Sequence, residues 1–275
     1  MFLHQKELQF EAKPDKPNPL IAKYLQELIG GQYGEMSVAM QYLFQGWSCR
    51  GEEKYKDMLM DIATEEIGHV EMLATMVARL LEGAPVEDQE AAMKKDPAIG
   101  AIISGMNPQH AIVAGLGPRP ADSVGNPWSG AYIIASGNLL ADFRANLNAE
   151  SQGRLQVARI YEMIDDRGVK DLLSVLLARD SYHQNLWAQA VKELEEKEGT
   201  ILVPSTFPRN EERLDIAYDF YNFSEGDQSK EGSWAKGKAL DGEGEYQWLS
   251  TPKVEGKVPK LDPVTPKMYG TPPEK

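Results

Sequence analysis

Four long helical patterns run through this chain, and an acid interrupts the apolar face of every one of them. An inward stripe on a bundle helix advances by alternating steps of three and four residues. On the first helix it reads Ile21, Leu25, Leu28, Gln32, Glu35, Ala39 and Tyr42. The second gives Leu59, Ile62, Glu66, His69, Leu73, Met76 and Leu80. The third gives Leu139, Phe143, Asn146, Glu150, Gly153, Val157 and Ile160, and the fourth Leu172, Leu176, Asp180, His183, Trp187, Ala190 and Leu194. Glu65 lies about 100° round the second helix from Glu66, a position that faces solvent or a neighbouring chain.

The levels of these breaks coincide. Residues that face each other in an antiparallel hairpin are equidistant from its turn. Positions 35 and 66 average to 50.5, at the turn signal Arg50-Gly51. Positions 150 and 183 average to 166.5, within the turn signal Asp165-Asp166-Arg167-Gly168. Both sets lie roughly 24 Å from their turns at 1.5 Å per residue. If the hairpins pack with their turns at the same end, all four breaks share one layer.

Such a layer cannot stay ionised in a core uncompensated, because an isolated buried carboxylate costs several kcal/mol even after relaxation. Two divalent cations would offset three glutamates and orient both imidazoles. Glutamates joined to Glu-x-x-His pairs on facing helices form the ligand set of the ferritin-like di-iron and di-manganese proteins. One Glu-x-x-His alone is weak, since polar i,i+3 pairs are common on solvated faces. Breaks at matching levels on four helices are not. Asp180 stands where the symmetrical pattern has a ligating glutamate, and it is shorter by one methylene. It is therefore read as an outer acid that holds His183 or relays protons.

The expected fold is all-α: a four-helix bundle over residues 1–199, with helices at about 20–50, 52–82, 128–166 and 169–198. Residues 83 to 127 carry six prolines and are too long for a turn, so they form a crossover along the bundle. Residues 200–275 hold eight prolines and few aliphatics, the composition of an extended tail laid over the bundle or a neighbouring subunit. The net charge of −13, with no basic block, argues against nucleic acid and anionic membrane surfaces as partners. No apolar run reaches membrane-span length, and the first 19 residues lack the apolar core of a signal peptide. The one cysteine, Cys49, is read as packing and suits a reducing cytoplasm. The methionines at 36, 40, 58, 60, 72 and 76 are read as packing too, and His4 and His110 as surface or local structure.

Glu35, "EEIGH" at 65–69, "NAESQGR" at 148–154 and "RDSYHQN" at 179–185 together resemble the manganese catalases, a non-haem family that dismutates hydrogen peroxide. The resemblance covers most of the chain. It implies two manganese ions per subunit on Glu35, Glu66, His69, Glu150 and His183, bridged by Glu66 and solvent and cycling between reduced and oxidised pairs. It makes Glu66, Asp180 and Tyr42 the residues of the catalytic centre, Tyr42 lying close outside the ligands. Some members carry arginine directly before the third-helix glutamate. Here that residue is Ala149, and Arg154 one turn on is the remaining basic candidate.

The resemblance also implies calcium on Asp57, Asp61, Asn222, Ser224 and Gly226, and a homo-oligomer, a hexamer, whose C-terminal tails embrace neighbours. Two other readings fit the same bundle. One is a di-iron oxidase or peroxidase, since iron and manganese accept the same mixed ligands. The other is a structural, coat-associated protein, against which the complete ligand set argues.

Overall fold

The computed structural model describes residues 3–83, 105–262 and 264–270. They form two compact units, Met1–Pro204 and Ser205–Lys275. We number the bundle helices α1 (Pro19–Gly30), α2 (Glu35–Ser48), α3 (Glu53–Leu80), α4 (Leu139–Met163) and α5 (Arg167–Glu198). The expected first helix is thus two. Gly31 and Gly34 both have extended backbone, and the Gly31 amide closes α1 on the Glu27 carbonyl. The reason is close packing: a Cβ on Gly30 would sit 2.3 Å from the Ala121 carbonyl oxygen, and one on Gly34 would sit 2.8 Å from that of Leu28. Glu35 consequently becomes the first residue of α2, at the positive end of its helix dipole.

The third helix also starts later than expected, at Leu139 rather than near Trp128. Asn138 caps it by accepting from the Ala141 amide, while Asp142 accepts from the amides of Ser136 and Gly137. These bonds hold the entering chain off the helix axis. Asp166 caps α5 in the same way through the Val169 amide.

The two hairpins, α2–α3 and α4–α5, pack with their turns at opposite ends, against the expected arrangement. Gly51 in the first turn lies against Leu139 at the start of α4. Ile164 and Val169 at the second turn share a cluster with Ile21 and Leu80. The long connection explains this, because it must return from the end of α3 to the far end of the bundle. The layer survives the inversion. Glu66, Glu150 and His183 fall at the middles of their helices, so reversing a hairpin leaves their level unchanged.

The crossover expected over 83–127 lies partly outside the described residues. Its described part is pinned to α1 and α2. Gln26 donates to the carbonyl of Ala121 (2.7 Å), Glu27 accepts from the Ser123 hydroxyl (2.6 Å), and Trp128 donates to Ser37 (3.0 Å). His110 is fully buried there with Nε2 3.1 Å from Gln26, and burial together with Arg119 pushes its pKa down. His4 is exposed as expected, 2.9 Å from Glu71. The bundle core divides into two apolar clusters. Leu25, Leu73 and Leu172 belong to one; Tyr42, Phe143 and Trp187 belong to the other. The polar layer separates them.

The second unit is not simply extended. It contains a three-stranded sheet of β1 (Asp219–Tyr221), β2 (Lys236–Lys238) and β3 (Glu245–Leu249) in the order β1-β3-β2. β3 runs parallel to β1 and antiparallel to β2. No helix among the described residues is long and apolar enough to cross a membrane.

Candidate metal centre

Glu35, Glu66, His69, Glu150, Asp180 and His183 are all buried between the two apolar clusters. Their atoms form two groups in which the ligand atoms lie within 4.8 Å of one another: Glu35, Glu66 and His69, and Glu66, Glu150 and His183. Glu66 belongs to both. Its Oε2 lies 2.6 Å from His69 Nδ1, and its Oε1 lies 2.7 Å from His183 Nδ1. Glu35 approaches His69 Nδ1 at 3.9 Å and Glu150 approaches His183 Nδ1 at 3.7 Å. The two imidazoles are stacked, their centroids 5.9 Å apart.

The donor set asks for cations. Both Glu66 oxygens and the Nδ1 atoms of His69 and His183 are buried without a hydrogen-bond partner, although they converge. Buried polar atoms are rarely left so. Two divalent ions would satisfy all of them, one held by Glu35, Glu66 and His69 and the other by Glu66, Glu150 and His183. The protonation states carry the same message. Burial and the neighbouring Glu66 push Glu35 up to about 7 and raise Glu150 well above the usual carboxylate range. Burial, Glu35 and Glu66 push Asp180 up to about 8. Burial acts on Glu66 in the same direction, but the two imidazoles outweigh it and hold Glu66 low. Against the opposing effect of burial, the carboxylates push His183 up to about 10 and raise His69 well above the ordinary range.

Tyr42 stands where expected, its hydroxyl donating to Glu150 at 2.6 Å. Asp180 does not hold His183. It shares with Glu35 and Glu150 the wall of a small cavity completed by Val38, Ala149 and Val157. Arg154 is exposed and donates to Ser181 on α5, so it turns away from the centre.

The partner of His183 is Glu65, which is half-buried rather than a solvent-facing residue. Its Oε2 lies 3.1 Å from His183 Nε2 and its Oε1 lies 3.6 Å from His69 Nε2. Arg179 grips both Glu65 oxygens at 2.5 and 3.0 Å, and Gln9 donates to Oε1 at 2.9 Å. Glu65 lies outside the stripe of α3, but α5 leans over its flank and closes on it. A signal was present: Glu65 precedes His69, and Arg179 precedes His183, by one helical turn.

Asp57 and Asp61 are exposed on α3, one turn apart. In the second unit, the Asn222 side chain closes its own turn by donating to the Gly226 carbonyl at 2.8 Å and accepting from the Ser224 amide at 3.2 Å.

A helical bundle with a buried Glu₃His₂ layer, in which two candidate ligand groups share one carboxylate, belongs to the ferritin-like class of carboxylate–histidine metal proteins. Within that class the chain belongs to the manganese-containing catalase family, whose model matches residues 1–273. It is 62% identical over 271 residues to the manganese catalase of Bacillus subtilis strain 168, covering 98% of each chain. It is 44% identical to the manganese catalase of Lactiplantibacillus plantarum, again over 98% of each. The crystal structure of KatB, a manganese catalase from Anabaena, superposes with a TM-score of 0.69 at 29% identity, covering 92% of this chain and all of that one.

Proposed function

We propose that this protein dismutates hydrogen peroxide to water and oxygen at a dimanganese centre held by Glu35, Glu66, His69, Glu150 and His183. The sharing of Glu66 between two buried ligand groups is the observation that carries the ligand set. When bound, the manganese pair supplies a two-electron couple, so one peroxide is reduced and a second oxidised without release of a radical. The protein's contribution is position and proton control. Five side chains from the middles of three helices and the start of α2 would hold the ions.

Tyr42 holds the Glu150 carboxylate in place through its hydroxyl. Asp180 faces the cavity beside Glu35 and Glu150, where burial favours its protonated form. We assign it the transfer of protons between the two peroxides. The apolar clusters above and below exclude bulkier substrates and stray water.

Calcium is proposed as a second ion, on the hard oxygen donors of Asp57 and Asp61 and of Asn222, Ser224 and Gly226. Assembly into a homo-oligomer, a hexamer joined through its C-terminal tails, and a cytoplasmic location belong to the same reading; a single cysteine supports the latter.

Metal analysis paired with an oxygen electrode tests the function. Manganese-loaded protein is expected to evolve oxygen from peroxide with no added reductant. Peroxide consumption without oxygen points instead to a peroxidase, and no consumption to a structural role.

A further inference from the structure

His183 is gripped from both sides by consecutive glutamates, and His69 stacks beside it. Glu66 faces both Nδ1 atoms, and Glu65 faces both Nε2 atoms. We propose that Glu65 is a positioning residue for His183, which fixes that imidazole with Nδ1 toward the metals and raises its basicity. The inference rests on the ligand set proposed above.

The geometry supplies each part of that role. A carboxylate near an imidazole Nε2 accepts its proton, leaving the lone pair on Nδ1, the atom turned to the metal groups. His69 Nε2 lies 3.6 Å from Glu65, beyond hydrogen-bond reach, but its ring stacks on His183 at 5.9 Å with the planes within 26° of parallel, so fixing one ring also restrains the other. Glu65 is itself held against rotation. Arg179 takes both oxygens in a two-pronged bond, and the Arg179 guanidinium lies over the Tyr182 ring at 4.8 Å.

The third restraint is Gln9, from the segment that precedes α1. That segment is strapped along the bundle, with Ala12 fully buried, its carbonyl accepting from Arg79 at 2.6 Å, and the Asp15 amide donating to Asp166 at 3.0 Å. Gln9 therefore reaches Glu65 from an anchored chain. An anionic acceptor on His183 favours the more oxidised metal pair, so Glu65 tunes the centre as well as aiming the ring.

The bland alternative is an ion pair that merely pins α3 to α5. Glu65→Gln separates the two. It keeps the shape but replaces the anionic acceptor at His183 Nε2 with a neutral amide. In full-length protein loaded with manganese alone and challenged with EDTA, we expect Glu65→Gln to retain manganese about 10- to 100-fold less tightly. The reduction potential of its loaded centre is expected to rise. Arg179→Met leaves the Glu65 carboxylate on His183 and is expected to lose only a few-fold in affinity; it also serves if Glu65→Gln does not fold. Equal losses of thermal stability in both variants, with manganese retention and potential unchanged, overturn the proposal. His183→Ala is the control for the ligand set. If it too retains manganese at wild-type strength, the ligand assignment falls along with the role of Glu65; if it alone loses manganese, the ligands stand and only Glu65 fails.

Discussion

Glu65 and Glu66 differ by one position and by what each can see. Glu66 is fully buried and faces both Nδ1 atoms; Glu65 is half-buried and takes the other side of the His183 ring. At the residue scale, hydrogen-bond satisfaction decides what a substitution does. Tyr42→Phe removes the only change in polarity that a phenol and a phenyl ring differ by, and leaves a buried Glu150 oxygen without its donor. We expect a loss of about 1–3 kcal/mol, read as a lower unfolding temperature of the metal-free protein. Asp180→Asn keeps the volume but cannot carry a proton between substrates. It is expected to bind manganese as the wild type does and to lose about 10²- to 10⁴-fold in oxygen evolution. Unchanged turnover would remove Asp180 from the proton path. The five proposed ligands were legible because each breaks an apolar stripe. Glu65 was not legible from periodicity, which sees one helix at a time, since its partners come from α5 and from the segment before α1; only the one-turn spacing of Glu65 to His69 and Arg179 to His183 marked it.

At the scale of elements, the glycines show where periodicity stops informing. The stripe through Ile21, Leu25 and Leu28 continues in register to Glu35, yet the backbone breaks between α1 and α2. The sequence Gly30-Gly31-Gln32-Tyr33-Gly34 carried that signal, but the cause is non-local: the crossover backbone at Ala121 presses on Gly30. Gly30→Ala is accordingly expected to destabilise by about 1–3 kcal/mol, because backbone must move. Gly68, in the middle of α3, gives the opposite sign. Its added Cβ would meet only Gln9 Oε1, at 3.6 Å, so Gly68→Ala is expected to stabilise by up to about 1 kcal/mol. Thermal unfolding of the two variants side by side checks both; a like sign for the pair would refute the contact argument. The sheet of the second unit was illegible for a related reason. Its strands are three to five residues long, too short for an alternation to show.

For the whole molecule, the buried layer sets a conflict between stability and metal binding that pH resolves. Glu35 at about 7, Asp180 at about 8 and His183 at about 10 all hold their protons more tightly folded than unfolded. Without metal, the folded state thus keeps protons that the unfolded chain has released, and its stability falls as pH rises through these values. Glu65 and Glu66 are shifted the other way, so their contribution is present above the ordinary carboxylate pKa and disappears in acid. The metal-free protein should consequently be most stable at weakly acidic pH. Manganese replaces the protons on the ligands, which reverses the slope: uptake releases protons and strengthens as pH rises through neutrality. Calorimetry of the metal-free and manganese-loaded forms between about pH 5 and about pH 9 should show the first losing stability steadily and the second holding it. Parallel curves for the two forms would mean that the layer is held together by something other than the exchange of protons for metal. The same four interrupted stripes that make the bundle costly to fold empty are, on this account, what makes it fold around its cofactor.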